Sequence, residues 1–123
     1  PSKQTHLLML QSPDGRVALT QRPASGIWGG LFSFPEFNDM ASLEAKLLHY
    51  PVARITPWAE FRHTFSHYHL DITPVQVWLT HLPNMIEDQQ TLWFNPALMQ
   101  DDEQAVGLPA PVKTLLTKIQ QGL

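Results

Sequence analysis

Gln21-Arg22-Pro23-Ala24-Ser25-Gly26-Ile27-Trp28-Gly29-Gly30-Leu31-Phe32-Ser33-Phe34-Pro35 is the stretch on which the fold turns. Its three glycines permit tight turns or close approach of the backbone. Trp28, Phe32 and Phe34 are too apolar for a free loop, so they read as anchors to a core or to a short strand. The glycine spacing is not that of a nucleotide loop, and no Lys-Ser/Thr pair follows. The stretch is therefore a packed connection rather than a phosphate cradle.

Working outward, residues 5–11 form a short apolar run that reads as a buried strand. Ser12-Pro13-Asp14-Gly15 is a strong turn signal, with Pro presetting φ and Gly accepting a positive one. Residues 16–22 read as the returning strand, with Val17 and Leu19 facing one way and Arg16, Ala18 and Thr20 the other. The two should form a hairpin. On the other side of the glycine stretch, residues 39–50 read as a helix with Asp39 as N-cap. Met40, Leu43, Leu47 and Leu48 make its apolar stripe, and Pro51 stops it.

Further on, residues 53–64 and 68–80 read as two strands of a central hairpin. Pro57 and Pro74 imply that each is interrupted, bulged or near an edge. Residues 91–95 read as another short strand, and residues 96–107 as an acidic, irregular or weakly helical surface segment. Pro111 opens a last helix whose apolar face is Val112, Leu115, Leu116 and Ile119. The expectation is one layered α/β (α+β) domain over residues 1–123, with a mixed sheet of about five to six strands and two main helices.

The 123 residues suit one domain with a sizeable core. With no cysteine in the chain, disulfides, thiolate metal sites and thiol catalysis are excluded. No apolar run is long enough to span a membrane, and no signal peptide is visible. The chain begins at Pro1 without a methionine, and it is expected to be a piece of a longer protein. A net charge of −3 argues against binding nucleic acid by bulk electrostatics. The charge is uneven, however: residues 1–62 carry six of the eight basic residues, and residues 63–123 carry six of the eleven acids.

One further stretch carries chemistry: Phe61-Arg62-His63-Thr64-Phe65-Ser66-His67-Tyr68-His69-Leu70. Its middle has no glycine or proline, so it is not a standard two-residue hairpin turn. Three histidines can make a zinc site. Here there is no cysteine and the only nearby acid is Asp71, so His63, His67 and His69 read as independent surface or hydrogen-bonded histidines. Ser66 beside His67 does not make a nucleophile pair, since strand neighbours point apart and no G-x-S-x-G elbow exists. The order hairpin, Gly-Gly-aromatic loop, helix has the look of a Nudix hydrolase. That helix offers only Glu44, with Glu36 and Asp39 ahead of it, which is too few carboxylates for the family's magnesium chemistry.

A Nudix-like architecture without the hydrolase residues resembles the C-terminal domain of the adenine DNA glycosylase family, MutY type. Residues 21–35 are similar to that family's QRP…GxWGGL…FP segment, and residues 61–70 to its FxHxFSHxxL segment. Residues 107–112 look like the lead-in to its final helix. The match runs from about Thr5 to about Leu116.

The resemblance implies several things. The whole enzyme removes adenine mispaired with 8-oxoguanine. Its N-terminal half would flip out the adenine and carry the catalytic acids and an iron–sulfur cluster, so this chain would need no cofactor and would not be an enzyme in isolation. Its partners would be double-stranded DNA containing 8-oxoguanine:adenine and the N-terminal catalytic domain of the same chain. The setting would be the bacterial cytoplasm. The family's lesion-contacting turn falls on Phe65, Ser66 and His67. Thr64, Arg62 and His63 are candidates for DNA-backbone contacts or for support of the turn. Phe65 either wedges at the base step or anchors the turn to the core. Trp28 reads as structural. The alternative is a nucleotide pyrophosphohydrolase with atypical metal ligands.

Overall fold

The computed structural model of the protein describes residues 2–82, 91–99 and 106–122. Its spine is one parallel pair. β1 (Ser2–Gln11) and β7 (His69–Leu79) run side by side over ten residues, from Ser2↔His69 to Gln11↔Trp78. Parallel neighbours need a long connection. Here it consists of β2 (Val17–Gln21), β3 (Phe32–Ser33), β4 (Glu36–Phe37), α1 (Met40–Lys46), β5 (Val52–Pro57) and β6 (Phe61–Thr64). β8 (Thr91–Phe94) and α2 (Ala110–Gln121) follow. The described strands make one mixed sheet in the order β3-β2-β1-β7-β5, with β4 also on β1, β6 on β7 and β8 on β2.

Strand periodicity divides the core into two layers. Leu7, Met9, Val17, Leu19, Leu70 and Ile72 face one side, where Val112, Leu115, Leu116 and Ile119 of α2 cover them. Leu8, Leu10, Ala18, Val75, Val77 and Leu79 face the other, under Leu43 of α1 and Leu47. The sheet is thus buried on both faces, which is why β1 reads as a continuous apolar run rather than an alternating one.

The mixed α/β class and the two helices agree with the sequence reading, and the details depart from it in three places. First, there are eight described strands rather than five or six, because β3 and β4 are two-residue pieces and residues 53–64 form two strands. The break falls opposite Pro74. Its carbonyl accepts the Trp58 N–H at 2.8 Å, so its missing N–H faces the same gap between β5 and β6. Second, the β1–β2 hairpin holds only at Gln11↔Val17, after which β2 pairs with β8 and β3. Its turn is as expected, with Gly15 N–H donating to the Ser12 carbonyl at 2.9 Å and Gly15 at φ 89°. Third, α1 ends at Lys46 and continues as a 3-10 turn over Leu47–His49. Three residues per turn rotate Leu48 off the stripe, and it is 79% exposed. Asp39 is the N-cap, accepting the Ser42 N–H at 2.7 Å. Most of the acidic segment expected over residues 96–107 lies outside the described residues.

Candidate functional site

The hairpin of β6 and β7 presents residues 65–68. Antiparallel pairing sets Phe61↔Ile72, Arg62↔Asp71, His63↔Leu70 and Thr64↔His69. Phe61 and His63 therefore share the face of Leu70 and Ile72, while Arg62 and Thr64 share the other face with Asp71 and His69. Arg62 donates to both carboxylate oxygens of Asp71, at 2.8 and 3.2 Å. Its guanidinium holds the Asp71 carboxyl below the usual carboxylate range, and the same contact raises Arg62. Thr64 Oγ1 lies 3.1 Å from His69 Nδ1. Both bonds brace the hairpin just below its tip.

At the tip, the Phe65 N–H donates to the Tyr68 carbonyl at 2.9 Å. Ser66 and His67 lie between them without positive φ, so the connection is not a type I′ or II′ turn, as the sequence indicated. Phe65 stacks on Tyr68 with centroids 4.8 Å apart, meets the edge of His63 at 4.7 Å, and faces Trp28 at 6.1 Å. It also packs against the core layer beneath α2. Ser66 and His67 are exposed, and neither side chain bonds to a described residue. The side-chain donors and acceptors of Ser66 and His67 are thus left open to solvent.

The Gly-Gly loop comes to the hairpin from the other side. It is closed on itself, with Arg22 N–H to Leu31 O at 2.7 Å, Gly30 N–H to Pro23 O at 3.0 Å and Leu31 N–H to Trp28 O at 3.0 Å. Gly29 passes so close to Ala24 that a Cβ would strike its carbonyl oxygen. Trp28 has φ 55°, and it is the only non-glycine residue with positive φ among the described residues. Such backbone is costly for a bulky side chain and persists only where its surroundings enforce it. It turns the indole toward His63 and Phe65, 6.2 and 6.1 Å away. Loop and hairpin together border an open pocket of about 510 Å³. It is lined by Ile27 and Trp28, by residues 65–68, and by Lys3 of β1. Lys3 Nζ stands 5.2 Å over the Tyr68 ring.

Of the residues singled out in the sequence, Phe65, Ser66 and His67 line this pocket. Arg62 and Thr64 are engaged in the brace, and His63 belongs to the aromatic cluster. Trp28, Tyr68 and Lys3 were missed as site residues. Tyr68 sits within the quoted stretch, and Trp28 was read as structural only. Lys3 could not be found from sequence, because it arrives through the parallel register Lys3↔Leu70. The histidines do not converge, since His63 and His69 occupy opposite faces of the hairpin. The carboxylates around α1 are likewise dispersed. Glu36 pairs with Arg22 at 2.6 Å, Asp39 caps the helix, and Glu44 borders an apolar patch with Leu47 and Leu48. No three metal-binding side chains cluster among the described residues. This donor set does not fit a magnesium site of the hydrolase kind.

The adenine DNA glycosylase of Buchnera aphidicola subsp. Baizongia pistaciae is 32% identical over 98% of this chain and 34% of its own length. That of Buchnera aphidicola subsp. Acyrthosiphon pisum is 28% identical over 79% of this chain and 27% of its own length. The chain thus spans about a third or less of the curated relatives it matches. Among solved structures, the C-terminal domain of mouse MUTYH, determined in complex with human PCNA, superimposes with a TM-score of 0.71. That match covers 97% of this chain and 87% of the other at 18% identity, so it is a likeness of fold. The family model described as the NUDIX domain matches residues 6–118, and with glycosylases as its sequence relatives the chain belongs to the NUDIX domain family.

Proposed function

We propose that this chain is the non-catalytic, C-terminal lesion-reading domain of a bacterial adenine DNA glycosylase. It would bind duplex DNA at 8-oxoguanine:adenine mispairs in the cytoplasm, beside the catalytic half that removes the adenine. The observation that carries the reading is the exposed Ser66-His67 tip, held on a braced hairpin with its side-chain hydrogen-bonding groups open to solvent next to an aromatic pocket. Catalysis and the iron–sulfur cluster belong to the N-terminal half; with no cysteine, this chain supplies no thiolate to a cluster.

The chemistry of discrimination follows from the tip. 8-Oxoguanine differs from guanine on one edge: O8 is a new acceptor, and N7 changes from acceptor to N–H donor. Ser66 can donate through its hydroxyl and accept through its oxygen or its backbone carbonyl, so it can match both changes. Normal guanine at the same place leaves a polar mismatch costing about 1–3 kcal/mol. Phe65 rests on Tyr68 in the free chain. To enter a base step it must exchange that stack, worth about 0.5–1.5 kcal/mol, for one with a base. His67 is placed to bond a base edge or a phosphate.

The test is Ser66→Ala in the whole glycosylase. Selectivity for 8-oxoguanine:adenine over guanine:adenine should fall by about fivefold to a hundredfold, as loss of one well-placed bond implies. Unchanged selectivity would leave the domain as a brace for its parent enzyme. The NUDIX match also supports a pyrophosphohydrolase reading. Steady phosphate release from 8-oxo-dGTP with magnesium would establish that reading instead.

A further inference from the structure

A second hollow lies at the other end of the sheet, on the face that α2 covers. It has a volume of about 720 Å³ and is walled by Trp58, Trp78 and Gln76, with Arg54 on one side and Lys118 of the last α2 turn on the other. Arg54↔Trp78 and Thr56↔Gln76 are cross-strand pairs, so these side chains project together. The walls are held from below. Trp58 Nε1 donates to Gln76 Oε1 at 3.2 Å, and Gln76 Nε2 donates to Gln11 Oε1 at 3.0 Å. Trp78 Nε1 is buried and makes no hydrogen bond within the described protein. The Arg54 guanidinium lies 5.4 Å over the Trp78 ring. Neither Arg54 nor Lys118 has a carboxylate partner among the described residues, and no acid lines the hollow.

We propose that this hollow is a binding site for a nucleotide, meaning a planar base carrying a phosphate. The volume falls within the range of small-molecule pockets. Indole faces bind bases by stacking whatever their sequence. Two unpaired cations at the rim of a chain of net charge −3 are a local reversal of sign that attracts an anion. The site is separate from the 65–68 turn, and the inference does not depend on the function proposed for that turn. The nucleotide has two possible sources: free in solution, or unpaired within a DNA strand.

The test follows the four tryptophan indole N–H signals by NMR. Adenosine 5′-monophosphate, adenosine, inorganic phosphate and a short single-stranded oligonucleotide are titrated in turn. The monophosphate should move Trp58 and Trp78 and saturate. Adenosine and phosphate alone should bind at least about tenfold more weakly, as loss of either half of a charge-assisted contact implies. Arg54→Ala with Lys118→Ala should weaken binding by at least about tenfold, with the Trp28 and Trp93 signals unmoved as the control for folding. An oligonucleotide that binds better than the monophosphate assigns the site to a DNA strand, and the reverse assigns it to the free nucleotide. Three outcomes would overturn the proposal: silence at Trp58 and Trp78 with every ligand at about 10 mM, an equal response to phosphate alone, or binding unaffected by the double substitution.

Discussion

At Gly29 the constraint is one of space; at its neighbour Gly30 it is one of dihedral angle. A methyl group on Gly29 would collide with the Ala24 carbonyl oxygen, which is backbone and cannot swing aside. Gly30 has φ 76° and open space around its missing Cβ. Gly29→Ala should therefore cost about 2–3 kcal/mol, the upper part of the range for a clash that only a backbone shift can relieve. Gly30→Ala should cost only the left-handed backbone penalty of about 1–2 kcal/mol. Urea unfolding of the two variants measures the difference, and equal losses would mean that the loop relaxes around Gly29. The Gly29 variant should also disturb Trp28, whose φ of 55° depends on the same closed loop. Ser66→Ala, at an exposed tip, should leave the unfolding midpoint unchanged.

The hairpin of β6 and β7 carries an ion pair between Arg62 and Asp71 just below its tip. Arg62 lowers the Asp71 carboxyl in the folded state. A carboxyl lowered by folding stabilises fully above its unfolded value of about 3.9 and loses that contribution as pH falls through the lower folded value. The brace is thus intact at neutral pH and fails only in acid. The Asp71 carboxyl carbon signal should titrate below about 3.9 and return toward that value in Arg62→Ala. A midpoint at or above it in the native chain would mean that the ion pair is not formed in solution. The elements themselves were unevenly legible. α2 could be read directly because Pro111 and the Val112, Leu115, Leu116, Ile119 spacing are local signals. The split of residues 53–64 was marked by Pro57 and Pro74, though not its position, which depends on where β7 needs a gap for Pro74. The loss of Leu48 from the α1 stripe had no local signal, because the change to a 3-10 turn is a matter of how the helix end meets Pro51. At the tip, the turn over Phe65, Ser66 and His67 was legible from the strand-like sequence on either side of it. Lys3 was not, since no local pattern reports a parallel pairing 67 residues away, from Lys3 to Leu70.

Across the whole molecule, the basic residues are dispersed rather than gathered at the turn over residues 65–68. Arg16 is paired with Asp14, Arg22 with Glu36 and Arg62 with Asp71. Lys46 lies by Tyr50 and Arg54 by Trp78, away from the turn. Among the described residues, Lys3 is the only lysine or arginine that lines the pocket at residues 65–68. A domain built this way makes few phosphate contacts, and the salt dependence of DNA binding counts such contacts at about 0.9 of a log unit each. The isolated chain should therefore bind duplex weakly, with a log–log salt slope no steeper than about −2. Lys3→Ala should flatten that slope by about one for oxidised and normal duplexes alike. Under the function proposed above, in which Ser66 reads hydrogen-bonding groups rather than charge, the ratio of affinities for 8-oxoguanine:adenine and guanine:adenine should stay constant with salt. Fluorescence anisotropy with the two duplexes at about 50 and 200 mM salt measures both quantities. A steep slope, or a selectivity that collapses as salt rises, would place recognition in bulk electrostatics and remove the hairpin tip from it.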